Sequence, residues 1–263
     1  MPADPVVQPT LFVGHGSPLN AVEDNRWSRA WRALAERLPR PAAVLSVSAH
    51  WYGPGSFVTA EPRPRTIHDF YGFPPELYRV EYPAPGDPAL AARIGALLGG
   101  GRAAPRTDWG LDHGTWSVLV HMFPAADVPV VQLGLDERLS PAEHLAVGRA
   151  LAPLRREGVL LLGSGNSVHN LRHALGSAAR GDLSTPPWAR DFDAVVARAC
   201  ATHDAAALAA AAESPAGRQA HPVLDHYLPL LYAAGAADPT DAVSFPVEGF
   251  DLSSLSMRAV RFG

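Results

Sequence analysis

Short apolar runs alternate with stretches of helical spacing along most of the chain. Leu11–Val13 opens one apolar run, which stops at Gly14-His15-Gly16. Ala42–Ala49 forms a second, with His50 at its C-terminal end, and Val128–Leu135 a third. Val159–Leu162 is a fourth and passes into Gly163-Ser164-Gly165-Asn166. Near-continuous apolar character in runs this short predicts strands covered on both faces. Helical spacing predicts Trp27–Leu38, ended by Pro39 and Pro41, and Pro88–Leu98, closed by three glycines. Further helices are predicted over Pro141–Glu157, with Pro141 in the first turn and Gly158 beyond the last, over Trp188–Ala212, and over His226–Ala237. The alanine-rich part of the fourth, Ala205–Ala212, is expected at the surface. Alternation of this kind predicts an α/β protein with a largely buried sheet. With no low-complexity linker, repeat or break in composition, one domain over residues 1–263 is expected.

Glu61–Pro88 departs from the pattern. It is rich in proline and aromatic residues and weakly periodic, as a long ordered loop that walls or covers a site would be. A loop that merely packs its aromatics on the body fits equally well.

Composition narrows the partners. The 263 residues are 47% hydrophobic and 18% charged, enough apolar material for a sizeable core. A net charge of −4 supplies no basic field for nucleic acid or anionic lipid, so neither is expected as a partner. No apolar stretch approaches a membrane span, and Met1–Pro9 lacks the features of a targeting signal, so a cytoplasmic location is expected. Cys200 is the one cysteine, which excludes an internal disulfide or thiolate cluster and suits a small core residue.

The chemistry lies in the eleven histidines. Ligands of α/β sheets gather at the carboxyl ends of strands, and His15, His50 and His169 each follow a predicted strand. Neutral imidazole is the commonest transition-metal ligand, one nitrogen binding while the other is oriented by an acceptor. The glycines around His15 permit a sharp turn and leave room for substrate. A hydrogen-bonded core histidine would explain any one of the three; together they point to a shared site. No H-E-x-x-H, Cys-x-x-Cys or phosphate loop is present, and Gly163-Ser164-Gly165 reads as a turn rather than a nucleophile elbow.

Gly14-His15-Gly16-Ser17-Pro18 and Ser48-Ala49-His50-Trp51 resemble the class III extradiol ring-cleavage dioxygenases, more narrowly the DOPA 4,5-dioxygenase type. The likeness continues through Thr66–Pro74, Tyr82–Gly86, Asp112–Trp116, Gly165–Asn170, Asp225–Leu231 and Ser253–Met257, in order over nearly the whole chain. It implies a single three-layer α/β domain, a central mixed sheet flanked by helices, with a metal near the strand ends. Position by position, the resemblance implies metal binding by His15, His50 and His226. His169 matches a further site histidine, either a fourth ligand or the acid/base beside the metal, and His113 a group that touches substrate or oxygen. The third ligand is thus an imidazole rather than the carboxylate of the common two-histidine face. Fe2+ is the implied working metal, and Zn2+ is expected to enter such a site readily, since it outranks ferrous iron in affinity. The implied reactants are a small aromatic diol and O2. His68, Phe70, Tyr71 and Trp51 are candidates to contact the ring, with Phe73 and Trp116 nearby; for His68 a structural hydrogen bond is the alternative. A zinc hydrolase and a non-enzymatic metal- or partner-binding protein are the competing readings, and oligomeric state is left open.

Overall fold

In the computed structural model, which describes residues 6–263, eight strands form one mixed sheet. In chain order they are β1 (Thr10–Gly14), β2 (Ala43–Gly53), β3 (Phe57–Thr59), β4 (Ala104–Arg106), β5 (Val130–Asp136), β6 (Val159–Gly165), β7 (Val243–Val247) and, after a small two-stranded ribbon of β8 (Phe250–Asp251) and β9 (Leu255–Ser256), β10 (Ala259–Phe262). Their order across the sheet is β4-β3-β5-β2-β6-β1-β10-β7. The central strands β5, β2, β6 and β1 run parallel; β10 and β7 add antiparallel strands beyond β1.

The four central strands are those whose apolar runs stand out in the sequence. Their side chains alternate between two cores: Leu11, Val13, Val44, Leu160 and Leu162 face one side, Phe12, Leu45, Val47 and Leu161 the other. On the first side lie α1 (Arg26–Ala35) and α3 (His113–Met122), bringing Trp27, Trp31 and Trp116. On the second lie α2 (Pro88–Leu98), α4 (Pro141–Leu151), α6 (Pro187–Ala201), α7 (Ala205–Glu213) and α9 (Leu228–Ala236). α5 (Leu171–Ala179) and α8 (Pro215–Ala220) flank the loop after β6. Helix starts follow local chemistry. Ser140 and Glu143 form a capping box ahead of α4, and Asp112 caps α3 by accepting from the Thr115 amide.

Several boundaries differ from expectation. The helix predicted over Trp188–Ala212 is two helices, because His203 takes a positive φ of 52° and Asp204 then caps α7. The alanine-rich helix is not a surface element throughout: Leu208, Ala209, Ala211 and Ala212 are buried. α4 gives way to a 3-10 helix from Ala152 to Glu157. α9 begins at Leu228, leaving His226 in the turn before it. β2 runs on to Gly53, so His50 lies inside the strand, next to an irregularity in its pairing with β5. α3 escaped the helical pattern because it is buried all round and has no polar face. No helix among the described residues is long and apolar enough to cross a membrane.

Two histidines serve the core. His144 meets the Tyr232 hydroxyl at 3.0 Å and His221 donates from Nε2 to the Ser167 carbonyl at 2.9 Å. Burial pushes both down to about 4 from an ordinary value near 6.5. Neutral when folded, they gain protons on unfolding, so the stability they confer is full above pH ~6.5 and is lost as pH falls towards 4. The metal-free protein is expected to lose about 3 kcal/mol between pH 6.5 and 5 from these two groups alone. Denaturant titrations at several pH values measure it; equal stability at pH 7 and 5 would disprove the assignment.

Candidate metal centre

At the carboxyl ends of β1, β2 and β6 five imidazoles converge. His15 follows β1, His50 projects from β2, and His113 starts α3. His169 lies in the loop after β6. His226 reaches the group from a distant turn because Gly165 lets that turn close on β6: a Cβ at Gly165 would sit 2.1 Å from the His226 carbonyl oxygen. Asn166 donates its amide hydrogen to the same oxygen at 2.9 Å and locks the approach.

The spacing of the rings separates them into two sets. Centroids of His15, His50 and His226 form a near-equilateral triangle, 5.0 Å for His15–His50, 5.2 Å for His15–His226 and 5.0 Å for His50–His226. Imidazoles bound through nitrogen at about 2.1 Å to one ion have centroids about 4.5 Å apart at a right angle and about 5.2 Å apart at the tetrahedral angle. The triangle matches that range. His50 and His113 are too close for both to face one ion, at 3.8 Å, and His169 stacks on His226 at 3.5 Å with planes only 4° apart. Nitrogens of His15, His50 and His113 also lie within 4.8 Å of one another, as do ligand atoms of His169, Asp225 and His226. Atom proximity alone therefore permits other sets; the ring directions favour His15, His50 and His226.

Hydrogen bonds turn the same nitrogen of four rings outwards. The Ser164 hydroxyl donates to the Gly114 carbonyl, so its oxygen accepts from His15 Nδ1 at 3.0 Å. Asp225 accepts from His226 Nδ1 at 2.9 Å, and Asp69 from His113 Nδ1 at 2.9 Å. Asp69 also lies 3.4 Å from His50 Nδ1. Nε2 is left free on each, fixed by its partner as in second-sphere control of metal ligands. The Nε2 atoms of His15 and His50 face each other at 3.1 Å. Burial, reinforced by the neighbouring imidazoles, holds His15, His50 and His226 well below the ordinary histidine range. Two neutral nitrogens thus direct lone pairs at one point, which a cation relieves and a proton does not. These residues fit a metal ion.

Carboxylates frame the cluster. Burial alone would raise Asp69, but the bonds from His113 and the nearness of His50 outweigh it and hold it at about 2. Burial, then repulsion from Asp69, lifts Asp112 to about 6. Asp112 accepts from Ser48 at 2.7 Å and from Gln132, bracing β2 against α3 just beneath His50. Burial, followed by the nearby His221, pushes His169 down to about 4. Among the described residues its ring makes no hydrogen bond; its backbone is held by the Ala220 carbonyl and by a bridge to Leu255. The Ser253–Met257 segment thereby belongs to the site, with Ser256 tied to Asp193 and Arg258 behind it.

A cavity of about 360 Å³ opens over the five imidazoles. Of the aromatic residues expected beside it, Phe70 and Phe73 line it. The other four lie elsewhere. Trp51 stacks between Trp109 at 5.1 Å and Phe57 at 6.4 Å, on the opposite side of β2 from His50. His68 is bonded to the Val80 carbonyl at 3.0 Å, inside its loop. Tyr71 is 92% exposed. Trp116 is buried behind Phe70 and donates to the Ile67 carbonyl. Sequence reading missed Asp69 and Ser164 as orienting groups. Asp69 lies beside His68 within Thr66–Pro74, whereas nothing local marks Ser164 as the partner of His15.

Fold and site together define an α/β protein with a histidine metal centre under an apolar cavity. The family model described as the catalytic LigB subunit of aromatic ring-opening dioxygenase matches residues 10–263, and the chain belongs to that family. It is an extradiol dioxygenase, which decides against the hydrolytic and non-enzymatic alternatives. Among relatives, "4,5-DOPA dioxygenase extradiol" of Escherichia coli (strain K12) is 46% identical over 97% of this chain and 94% of its own. The protein of the same name from Beta vulgaris is 36% identical over 97% of each chain. A crystal structure of an uncharacterised protein from Escherichia coli K12 superposes with a TM-score of 0.85 at 42% identity, covering 97% of this chain and all, 100%, of that one.

Proposed function

We propose that the protein opens the ring of a catechol, DOPA-like or related, with O2, using Fe2+ held by His15, His50 and His226. The triangle of ring centroids at 5.0–5.2 Å carries the ligand assignment. The names of the Escherichia coli and Beta vulgaris relatives support the substrate class. When bound, the ion supplies Lewis acidity and a redox-active meeting point for catechol and O2, a role that Zn2+ in the same place would fill only in part.

The remaining groups belong to the protein. His169 is neutral near pH 7 and takes a catechol hydroxyl proton, then returns it at a later step. Its stacking on His226 sets it beside the metal without claiming a coordination position. His113 gives its Nδ1 hydrogen to Asp69 and so presents Nε2 to the cavity, where it contacts a substrate or oxygen atom. Phe70 and Phe73 hold the ring and exclude water.

Anaerobic loading with ferrous ion, followed by air and a catechol, is expected to consume one O2 per catechol and give a yellow ring-opened product. The zinc-loaded protein is expected to bind catechol and consume none. Failure of the ferrous form to take up O2 with any catechol would sink the reading.

A further inference from the structure

With no hydrogen bond to its ring among the described residues, His169 is held by its backbone and by stacking on His226. The backbone there is tied to β9 and α8. Ser256 donates its amide hydrogen to the Val168 carbonyl at 3.0 Å, His169 pairs with Leu255, and the His169 amide reaches the Ala220 carbonyl at 3.1 Å. The turn that leads into β9 is strained. Leu252 and Ser253 take left-handed φ values of 43° and 72°, and Leu252 and Leu255 line the cavity. Backbone of this kind persists only where surrounding contacts over-determine it, and it gathers at working sites. A carboxylate behind the two segments supplies such contacts. Asp193 of α6 is 4% exposed and does not line the cavity. Its Oδ1 accepts from Ser167 at 2.6 Å and from Ser256 at 2.8 Å, one hydroxyl from each of the segments that meet at His169. Arg258 closes the carboxylate from another side, with Nε 3.0 Å from Oδ1 and a terminal nitrogen 2.6 Å from Oδ2. A buried ion pair often gains little stability over a hydrocarbon pair of the same shape. What this one adds is direction, because all three partners donate and only a carboxylate accepts from them together.

We propose that Asp193 is a positioning residue for ring cleavage: through Ser167 and Ser256 it fixes His169 where the imidazole exchanges a proton with substrate. This role rests on the acid/base reading of His169. Ser167 lies two residues before His169, and Ser256 holds the strand paired with it, so the carboxylate clamps the loop from both sides. Asparagine keeps the shape of Asp193 but turns one acceptor into a donor, so it cannot accept from the hydroxyls and the guanidinium together. Glu248 still faces Arg258 at 2.9 Å in that variant and keeps its charge paired. The ligand triangle of His15, His50 and His226 makes no bond to Asp193 and stands without it.

A double-mutant cycle with His169, beside hydrogen exchange, tests this. Ferrous Asp193→Asn should keep its metal and lose at least about tenfold in kcat with KM within about threefold, since a misplacement of about 1 Å can cost about 10²-fold. In the His169→Ala background the same substitution should change kcat by less than about twofold, because the ring it positions is gone. Amide exchange in the zinc-loaded protein should quicken by at least about tenfold at His169 and Ser256 and stay unchanged in β1 and β2. Equal losses in both backgrounds would make Asp193 merely structural and overturn the proposal, as would loss of the ion or an effect carried by KM. Should Asp193→Asn fail to fold, Ser167→Ala leaves the Asp193–Arg258 pair intact and is read by the same cycle; parent-like kcat and exchange there would also overturn it. A parent protein that cleaves no catechol would sink the ring-cleavage reading instead, and unchanged exchange at His169 and Ser256 would then be the result that overturns this one.

Discussion

Replacing His226 with alanine is expected to strip the protein of ferrous ion and abolish ring cleavage, while His113→Ala keeps the ion and cleaves slowly. His226 closes the triangle with His15 and His50 at 5.2 and 5.0 Å, and Asp225 holds its Nδ1 so that Nε2 faces the other two. Changes to groups that merely orient metal ligands cost roughly 10–100-fold in affinity, so loss of one of three ligands is expected to cost at least about 10³-fold. His113 sits 3.8 Å from the His50 ring and is tied to Asp69 by both its backbone and ring nitrogens. Its removal leaves the triangle standing. Metal content after dialysis and affinity by chelator competition, measured for both variants, distinguish the two. The opposite result, with His113→Ala empty and His226→Ala loaded, would assign the third ligand to His113.

His169→Ala is expected to retain the metal and lose turnover by about 10²–10⁴-fold, the usual contribution of a positioned acid/base. The ring lies parallel to His226 at 3.5 Å, so the two cannot direct lone pairs at one ion at a normal ligand angle. Its depressed proton affinity keeps it neutral at the working pH and able to accept a proton. The variant should also lose the acidic limb of the kcat–pH profile, because protonation of His169 at low pH removes the base in the parent protein. Stopped-flow turnover across pH, beside the metal content, gives the answer. Loss of metal would make His169 a ligand, and a fall below tenfold would place the proton transfer on another group.

The sequence by itself determined the central strands, because β1, β2, β5 and β6 are covered on both faces over most of their length and so are largely apolar. It determined the helices whose ends carry their own chemistry, such as Ser140-Pro141 with Glu143 ahead of α4. His15 and His50 were marked as site residues by their place at strand ends, which needs only local structure. The outer strands β3, β4, β7 and β10, of which β4 and β7 are the edges, were not legible, being short and partly polar. α3 was hidden because helical periodicity vanishes when every face is buried.

Only the tertiary structure decided which imidazoles face one point. His226 enters through the close contact of its turn with Gly165, and no spacing along the chain encodes an approach between segments so far apart. The Ser164–His15 and Asp69–His113 bonds are likewise decided by packing, as is the separation of Trp51 from its neighbour His50. Adjacent residues of a strand point to opposite faces, so nearness in sequence to a ligand places a side chain away from the site as readily as in it. Residue type and strand position thus established that the protein has a histidine centre. The directions of the rings, which only the folded chain sets, determine which histidines are suited to hold the metal.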